Sequence, residues 1–519
     1  MSPAPERSWL ASIPSMVWYS RGEPSGCGTI RRAVPWAAAH GNVDAALASL
    51  ERVADAIHHY TGHSGSNPAM SRLALTWVWP WLVKAGSPSA APFCRSTIEE
   101  LMHPHLMRKV DYYLGIPLCL LITILYKLQR LLGLNNAQRR ATPTHVLFIE
   151  LAEMGSTVLA YPAIQALKAR YPEAQLYFVL FKHIKESIEI SEIIPTEHLF
   201  LIESGSLWSL LRDTIKFTLA SRQRKIDTAI VLEVFTRYGT ILSYLSGART
   251  RVGFYRYHQE GLYIGNFLSH KVHYNPHIHI AHAFLSLVHA LEAPHGQVPL
   301  TKISLADHAL TLPVFPSSAA DRAKVWHLLQ DGHAPLDSTK QLVIVNPNSS
   351  PWLSIRKWPL SSYVALVQQL LMDEALYVVL IGVASEKPEA ASICQAVQHE
   401  RVLDITGKTT LPDLLHLFNL GAVLITNDSG PAHFAALTTI HIVVFFGPET
   451  PQLYRPLGQH CTVLYTHYAC SPCISAYNQR LSPCQDNRCL QSIGVDEVYR
   501  TVRAILEQRG AQRMVEVRP

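Results

Sequence analysis

Several large protein classes are excluded by what this 519-residue chain does not contain. The first thirty residues have no apolar core of the kind that opens a secretory leader, which points to a chain retained in the cytoplasm. No apolar run reaches the roughly 20 residues that a helix needs to cross a bilayer. No Gly-x-Gly-x-x-Gly follows a strand-like stretch, which argues against a dinucleotide-dependent dehydrogenase. No two aspartates stand two residues apart, so that form of carboxylate cradle for a divalent cation is missing. Charge is sparse, 16% against 48% hydrophobic, and the net +6 is spread without the basic stripe that a nucleic-acid partner requires. A small positive excess suits a protein that meets phosphates or an anionic membrane surface.

Cysteine is present but unevenly placed. Cys27, Cys94, Cys119, Cys394 and Cys461 are scattered, as suits a reducing compartment. Cys470, Cys473, Cys484 and Cys489 fall within twenty residues, in a Cys-x2-Cys-x10-Cys-x4-Cys spacing compatible with a structural zinc site. Two disulfides, disfavoured in the cytoplasm, and four free thiols are the alternatives. The histidines His270, His273, His277, His279 and His282 have irregular spacing and no interleaved carboxylate, and are expected in a linker rather than around a metal.

Residues 1 to about 105 hold six of the ten tryptophans and no run of strands. Two readings stay open for them: a genuine accessory segment, or a frame that begins upstream of a start at Met102 or Met107. Next comes an apolar run of about fifteen residues, Tyr112–Tyr126, with Arg108 and Lys109 before it and Lys127, Arg130, Arg139 and Arg140 after it. Basic flanks and tyrosines at both ends predict a segment lying in a membrane interface, with a buried core helix as the alternative. Deleting residues 1–140 is then expected to leave a soluble two-domain protein.

From His145 the texture changes to alternating strands and helices. Strands are expected at His145–Leu151, Gln175–Leu180, His198–Ile202 and Ile226–Glu233, with helices at Val158–Arg170 and from Thr240. After the Pro-rich stretch Pro294–Pro316 the alternation restarts. Strands are expected at Gln341–Val345, Ala375–Ile381, Val402–Ile405, Ala422–Thr426 and Ile440–Phe446, and helices at Leu360–Met372, Pro388–His399, Leu411–Phe418 and Pro431–Leu437. Repeated β-α units imply parallel sheets covered on both faces, hence two Rossmann-like domains with a cleft between them. Ligands of such sheets bind at the strands' carboxyl ends.

The distinctive residues fall at those ends. Asn427-Asp428-Ser429-Gly430-Pro431-Ala432-His433 closes a strand and opens a helix, with Pro431 expected at the first helical position and Asp428 or Ser429 as its cap. The free amides at Ser429 and Gly430 suit a pyrophosphate, an ordinary capped turn being the plainer reading. Asn346-Pro347-Asn348-Ser349-Ser350 is a polar loop on the same edge and leads to Arg356-Lys357-Trp358-Pro359, where Lys357 offers a cation. Glu386, four residues after Ile381-Gly382, suits a ribose hydroxyl pair. Thr406-Gly407-Lys408-Thr409 closes the next strand.

In this order the polar loop, Lys-Trp-Pro, Gly…Glu, Thr-Gly-Lys-Thr, Asn-Asp-Ser-Gly-Pro-x-His and Phe446-Gly447-Pro448 resemble the donor half of glycosyltransferase family 9, the ADP-heptose:lipopolysaccharide heptosyltransferases. Leu151-Ala152-Glu153-Met154-Gly155-Ser156 through Ala163, and Leu167-Lys168-x-Arg170-Tyr171-Pro172, are similar to the family's first βα unit. The resemblance covers about residues 107–508. It implies a GT-B fold of two Rossmann-like domains and four regions: a poorly defined extension (1–106), an apolar and basic membrane-interface segment (107–140), an acceptor domain (141–315), and a donor domain with the cysteine cluster (316–510). It also implies inverting transfer of a heptose-like sugar from an ADP- or UDP-sugar to a lipid-linked glycan such as the lipopolysaccharide core, at the inner face of the cytoplasmic membrane. Carried over by position, Ser349 and Lys357 face the diphosphate, Glu386 the ribose, and Asp428, Ser429, Gly430 and His433 line the donor pocket. The helix dipole and Lys357 stand where a metal would otherwise act, so no catalytic cofactor is expected and zinc, if present, is structural.

The chain departs from the family at one point. The family's first loop carries Gly-Asp, the aspartate being its base; here the pair is Gly155-Ser156, and a serine is no base at neutral pH. Glu153, two residues earlier and expected to be partly buried between domains with its pKa raised toward neutrality, is the expected base, helix capping being its plainer role. Glu150 is expected to pack sideways against a basic partner, and Glu233 is the next candidate. A catalytically silent sugar-nucleotide-binding partner protein is the alternative that this departure keeps open.

Overall fold

In the computed structural model, residues 106–133, 142–257, 261–294, 297–304, 310–331 and 336–516 are described. The extension expected over 1–106 lies almost wholly outside them, as do residues 134–140.

Twelve strands form two six-stranded sheets. The first holds β1 (His145–Ile149), β2 (Gln175–Phe181), β3 (Leu199–Ile202), β4 (Thr228–Val231), β5 (Thr250–Tyr255) and β6 (His270–His273), in the order β3-β2-β1-β4-β5-β6. The second holds β7 (Gln341–Asn346), β8 (Leu376–Leu380), β9 (Val402–Asp404), β10 (Val423–Asn427), β11 (His441–Phe446) and β12 (Cys461–Tyr465), in the order β12-β11-β10-β7-β8-β9. Every pairing is parallel. The central strands are continuous apolar runs because helices bury both faces. Val146–Ile149, Val343–Val345 and Val423–Ile425 are completely inaccessible. The strand order reverses between β1 and β4, and again between β7 and β10. These are the two crevices where such sheets take ligands. Both sheets lie in one unit, Leu101–Pro519.

The expected fold class, α/β with two Rossmann-like halves, is the observed one. The differences are local. The first helix begins at Met154, four residues before its apolar pattern, and runs to Arg170; Gly155, Ser156 and Thr157 conceal its first turn. The histidine-bearing segment is not a linker. It forms edge strand β6 and the helix Ile280–His289, whose N-cap is His279; the His279 ring accepts from Ala281 N. Burial pushes that imidazole down to about 4.

The apolar segment is longer than its sequence run. Residues Leu106–Leu131 make 26 residues of helix, long and apolar enough to cross a membrane by length and composition. One face is docked on the protein. Cys119, Ile122 and Tyr126 pack with Ile241 and Phe267, Thr123 Oγ1 accepts from Asn266 N at 2.8 Å, and Asp111 holds Arg237 at 2.9 Å and Tyr238 N at 3.0 Å. The other face exposes Leu114, Leu118, Leu121, Leu125 and Leu128. A second helix, Leu207–Gln223, buries Leu210 and Phe217 and exposes Trp208, Leu211, Ile215 and Leu219 in a row. Met107 packs into the cluster beneath it.

Candidate active site

The segment after β7 sets the first cation of the site. Trp358 is fully buried; its backbone N–H donates to Asn427 Oδ1 at 2.8 Å and its indole N–H to Ile493 O at 3.0 Å. Lys357, just before it, is extended, so its neighbours point one way and its own side chain the other. Lys357 pairs with Glu389 at 3.1 Å and lies close enough to Glu386 to act on its carboxyl. Arg356 takes the inward place, Nη1 at 3.2 Å from Asp428 Oδ2 and Nη2 at 3.6 Å from Glu449 Oε2.

Of the remaining expected residues of this edge, Asp428 and His433 lie by Arg356, and Glu386 lies nearer Lys357. Ser349 is buried and donates to Leu353 O at 3.2 Å. Glu386 accepts from Val383 N at 2.9 Å and lies over Gly382, where burial raises its pKa. Asp428 is buried after β10. Ser429 occupies the N-cap position without capping; its hydroxyl donates to Asn427 O at 3.2 Å. The following helix, Gly430–Ala435, has only six residues, and Pro431 is its second. His433 is buried, and burial pushes its imidazole down to about 3, so it stands here as a neutral ring.

The polar atoms of this edge are incompletely satisfied. Asn348 Nδ2 and Oδ1, Arg356 Nε, Thr406 Oγ1, Asp428 Oδ2, His433 Nδ1 and Glu449 Oε2 are buried and lack a hydrogen bond. They are seven of the eleven such side-chain atoms among the described residues. Asn348, Thr406, Asp428 and Glu449 each lie within three residues of a strand's carboxyl end. Buried polar atoms without a hydrogen bond are rare and costly, so seven along the carboxyl edge of one sheet mark a surface built for a polar ligand.

The facing edge, at the β1/β4 switch point, is acidic. Glu150 is buried and its carboxyl pKa is pushed well up by burial and by Glu233, against Arg480. Glu233 Oε1 accepts from Leu151 N at 2.9 Å, while Oε2 is buried with no hydrogen bond; burial pushes Glu233 up to about 7. Glu153 is partly buried, as expected, with its side chain 40% exposed. It does not cap its helix. One oxygen is ion-paired to Arg480 and the other accepts from Ser156 Oγ at 3.1 Å. Ser156 itself is buried, and its hydroxyl donates to Glu153. The two edges meet here: a Cβ on Gly155 would lie 2.5 Å from the His433 ring, so glycine is required by the close approach.

The cysteine segment supplies structure to both edges. Asn487 Nδ2 donates to Ile355 O at 2.9 Å and Lys357 O at 2.8 Å, pinning the loop that aims Arg356. Arg480 reaches across to Glu153. Cys470, Cys473, Cys484 and Cys489 are free thiols. Cys489 is buried against Gly447, and burial, with the other three thiols nearby, pushes it up to about 11. Among the described residues no three His, Cys, Asp or Glu side chains are arranged to hold a metal ion, so the expected zinc set is not formed by the thiols as they stand.

Comparisons with known proteins agree with this geometry. The model of glycosyltransferase family 9 (heptosyltransferase) matches residues 217–482. The chain is 30% identical over 112 residues to lipooligosaccharide heptosyltransferase 2 of Haemophilus influenzae, covering 21% of this chain and 32% of that one. It is 25% identical over 174 residues to lipooligosaccharide heptosyltransferase 2 of Campylobacter jejuni, covering 33% and 53%. The matched stretches thus span a third to about half of these relatives. The solved structure of E. coli ADP-heptose lps heptosyltransferase II superposes with a TM-score of 0.56 at 18% identity, over 71% of this chain and 100% of that one, which shows a shared fold. With half of its length matched by that family's model, this chain belongs to glycosyltransferase family 9.

Proposed function

We propose that the chain is a glycosyltransferase that moves a heptose-like sugar from a nucleoside-diphosphate donor to a hydroxyl of a lipid-linked glycan, such as a lipopolysaccharide core. The observation that carries this is the set of seven buried polar atoms without a hydrogen bond along the carboxyl edge of the second sheet, facing an acidic edge at β1/β4. The first edge suits a donor. Arg356 answers the diphosphate as a forked cation, Glu386 the ribose, and Ser349, Asp428, Ser429, Gly430 and His433 line the rest. ADP and UDP are the expected nucleotides, by the resemblance to family 9 alone.

Transfer is proposed to be a direct, inverting displacement. The acceptor oxygen attacks the anomeric carbon, its proton passes to a carboxylate, and the sugar–phosphate bond breaks toward Arg356, which stabilises the departing diphosphate without a metal. Activity lost to a chelator and restored by magnesium would overturn that last point. Glu153 is proposed as the base because it is the reachable carboxylate of the first turn; Arg480 and Ser156 fix its orientation. The unsatisfied Oε2 of Glu233, with a pKa of about 7, favours a second reading in which Glu233 takes the proton. Glu153→Gln should cost about two or more decades of turnover and leave donor binding intact, while Ser156→Ala and Glu150→Gln cost less. A larger loss in Glu233→Gln than in Glu153→Gln would move the role to Glu233.

Attachment to the inner face of the cytoplasmic membrane is proposed through the helix Leu106–Leu131. Its Asp111–Arg237 pair and its docked face favour lying along the surface over crossing it. The exposed row Trp208, Leu211, Ile215 and Leu219 extends that apolar surface. A structural zinc on Cys470, Cys473, Cys484 and Cys489 is a separate proposal, supported by spacing alone. Stoichiometric metal in the purified protein, lost when Cys473 and Cys484 become Ser, is the result that would carry it; its absence on elemental analysis ends it.

A further inference from the structure

Arg356 faces two carboxyls with a single charge. Asp428 approaches it at 3.2 Å and Glu449 at 3.6 Å, and the three side chains are 12%, 6% and 1% exposed. Among the described residues no other cation pairs with them: Lys357 is paired with Glu389, and burial pushes the His433 imidazole down to about 3. Were both acids ionised, this pocket would carry a net negative charge away from water. It would also repel the diphosphate that its unsatisfied atoms are arranged to receive. Two carboxyls crowded into one buried site hold a proton between them.

Geometry assigns the proton to Glu449. It is the more deeply buried of the two and stands farther from the guanidinium. Its Oε1 is occupied, accepting from Thr450 N at 3.1 Å, and its Oε2 has no hydrogen bond. Every other titratable group facing it is accounted for: Arg356 and Asp428 on one side, and on the other the Tyr274 and Tyr454 phenols, raised to about 12 and well above the usual value. Arg480 lies beyond, with Nη2 at 3.4 Å from Tyr454 Oη.

We propose that Glu449 is kept protonated in the donor-ready protein and that its Oε2–H donates a hydrogen bond to a diphosphate oxygen of the nucleotide held by Arg356. This rests on the reading of the β7/β10 edge as the donor site. Burial, with Asp428 beside it, pushes the Glu449 carboxyl up to about 8, so the hydrogen-bond donor is present at neutral pH and turns into a repelling anion above it.

The test is calorimetric binding of ADP and of UDP to the full chain at about pH 7, 8 and 9, where the nucleotide's own phosphate, with its pKa near about 6, no longer titrates. Affinity should fall by about tenfold per pH unit above the Glu449 value, and binding near pH 9 should take up about one proton, read from two buffers of different ionisation enthalpy. Glu449→Gln keeps a neutral donor, so its affinity should match the wild type at pH 7, stay flat to pH 9 and show no proton uptake. A flat wild-type profile without proton uptake overturns the proposal while leaving the donor site intact. The wild-type proton count decides the matter even if the variant does not fold. Absence of binding by both nucleotides at every pH overturns the donor-site reading itself.

Discussion

Arg356 and Lys357 are adjacent in sequence and opposite in role. The buried Trp358 holds the strand-like segment so that one cation meets Asp428 and Glu449 and the next meets Glu389. Replacing Arg356 with Lys keeps the charge but loses the fork, which costs about 1.5–3 kcal/mol of charge-assisted hydrogen bonding. Nucleoside-diphosphate affinity should therefore fall roughly ten- to a hundredfold. Lys357→Ala removes a half-exposed pair worth about 0–1 kcal/mol and should change affinity by less than about threefold. Equal losses in the two variants would show that the inward cation is misassigned. Glu449 also has a signature in stability. The folded chain keeps this proton to about 8, whereas the unfolded carboxyl loses it near 4.5, so the folded state binds more protons across that window and stability falls as pH rises through it. Glu449→Gln should have a higher Tm than the wild type above pH 8, with the gap closing toward pH 4.5; a constant gap would mean the side chain stays ionised in the fold. Of this site, the motif residues Ser349, Glu386, Asp428, Ser429 and His433 were legible in the sequence because they sit at predicted strand ends. Arg356, Glu449, Arg480 and the Glu233 pairing were not. Which of two adjacent cations turns inward depends on Trp358 docking under Asn427, and Arg480 reaches Glu153 from 327 positions away.

Among the elements, the central strands were readable because β-branched apolar runs have no other stable home. Strands β5 and β6 were not: β5 carries a buried Arg251 held by Phe267 O at 2.8 Å, and β6 is mostly His and Lys. Charges inside a strand hide it from a hydropathy pattern until their partners are known. The helix Leu106–Leu131 was legible as apolar but not as docked. Deleting residues 1–140 would strip the partner from Arg237, a cation 2% exposed, and removing one member of such a pair costs about 3–5 kcal/mol. The truncated protein is therefore expected to melt well below the full chain rather than to be a clean soluble core. Membrane attachment is better tested on the outer face. Joint substitution of Leu118, Leu121 and Leu125 by Ser should keep the Tm and reduce co-sedimentation with anionic phospholipid vesicles by more than about tenfold, each leucine contributing about 1.5–3 kcal/mol when buried in lipid. Unchanged sedimentation would remove this helix as the anchor.

On the scale of the molecule, two sheets of one topology present their switch points to each other, one rich in buried polar atoms around Arg356, the other acidic. The glycine at 155 lets them touch and the cysteine segment braces both. Such an arrangement separates leaving-group stabilisation from proton removal, which a direct displacement requires. It also distinguishes a catalyst from a silent binder, because the silent binder needs only the first edge. The deciding measurement is release of nucleoside diphosphate from a panel of ADP-, UDP-, GDP- and CMP-sugars, with and without a lipid-linked glycan acceptor. Acceptor-dependent release from an ADP- or UDP-sugar is the predicted result; tight binding of one of these donors with no release under any acceptor would contradict the assignment as a transferase.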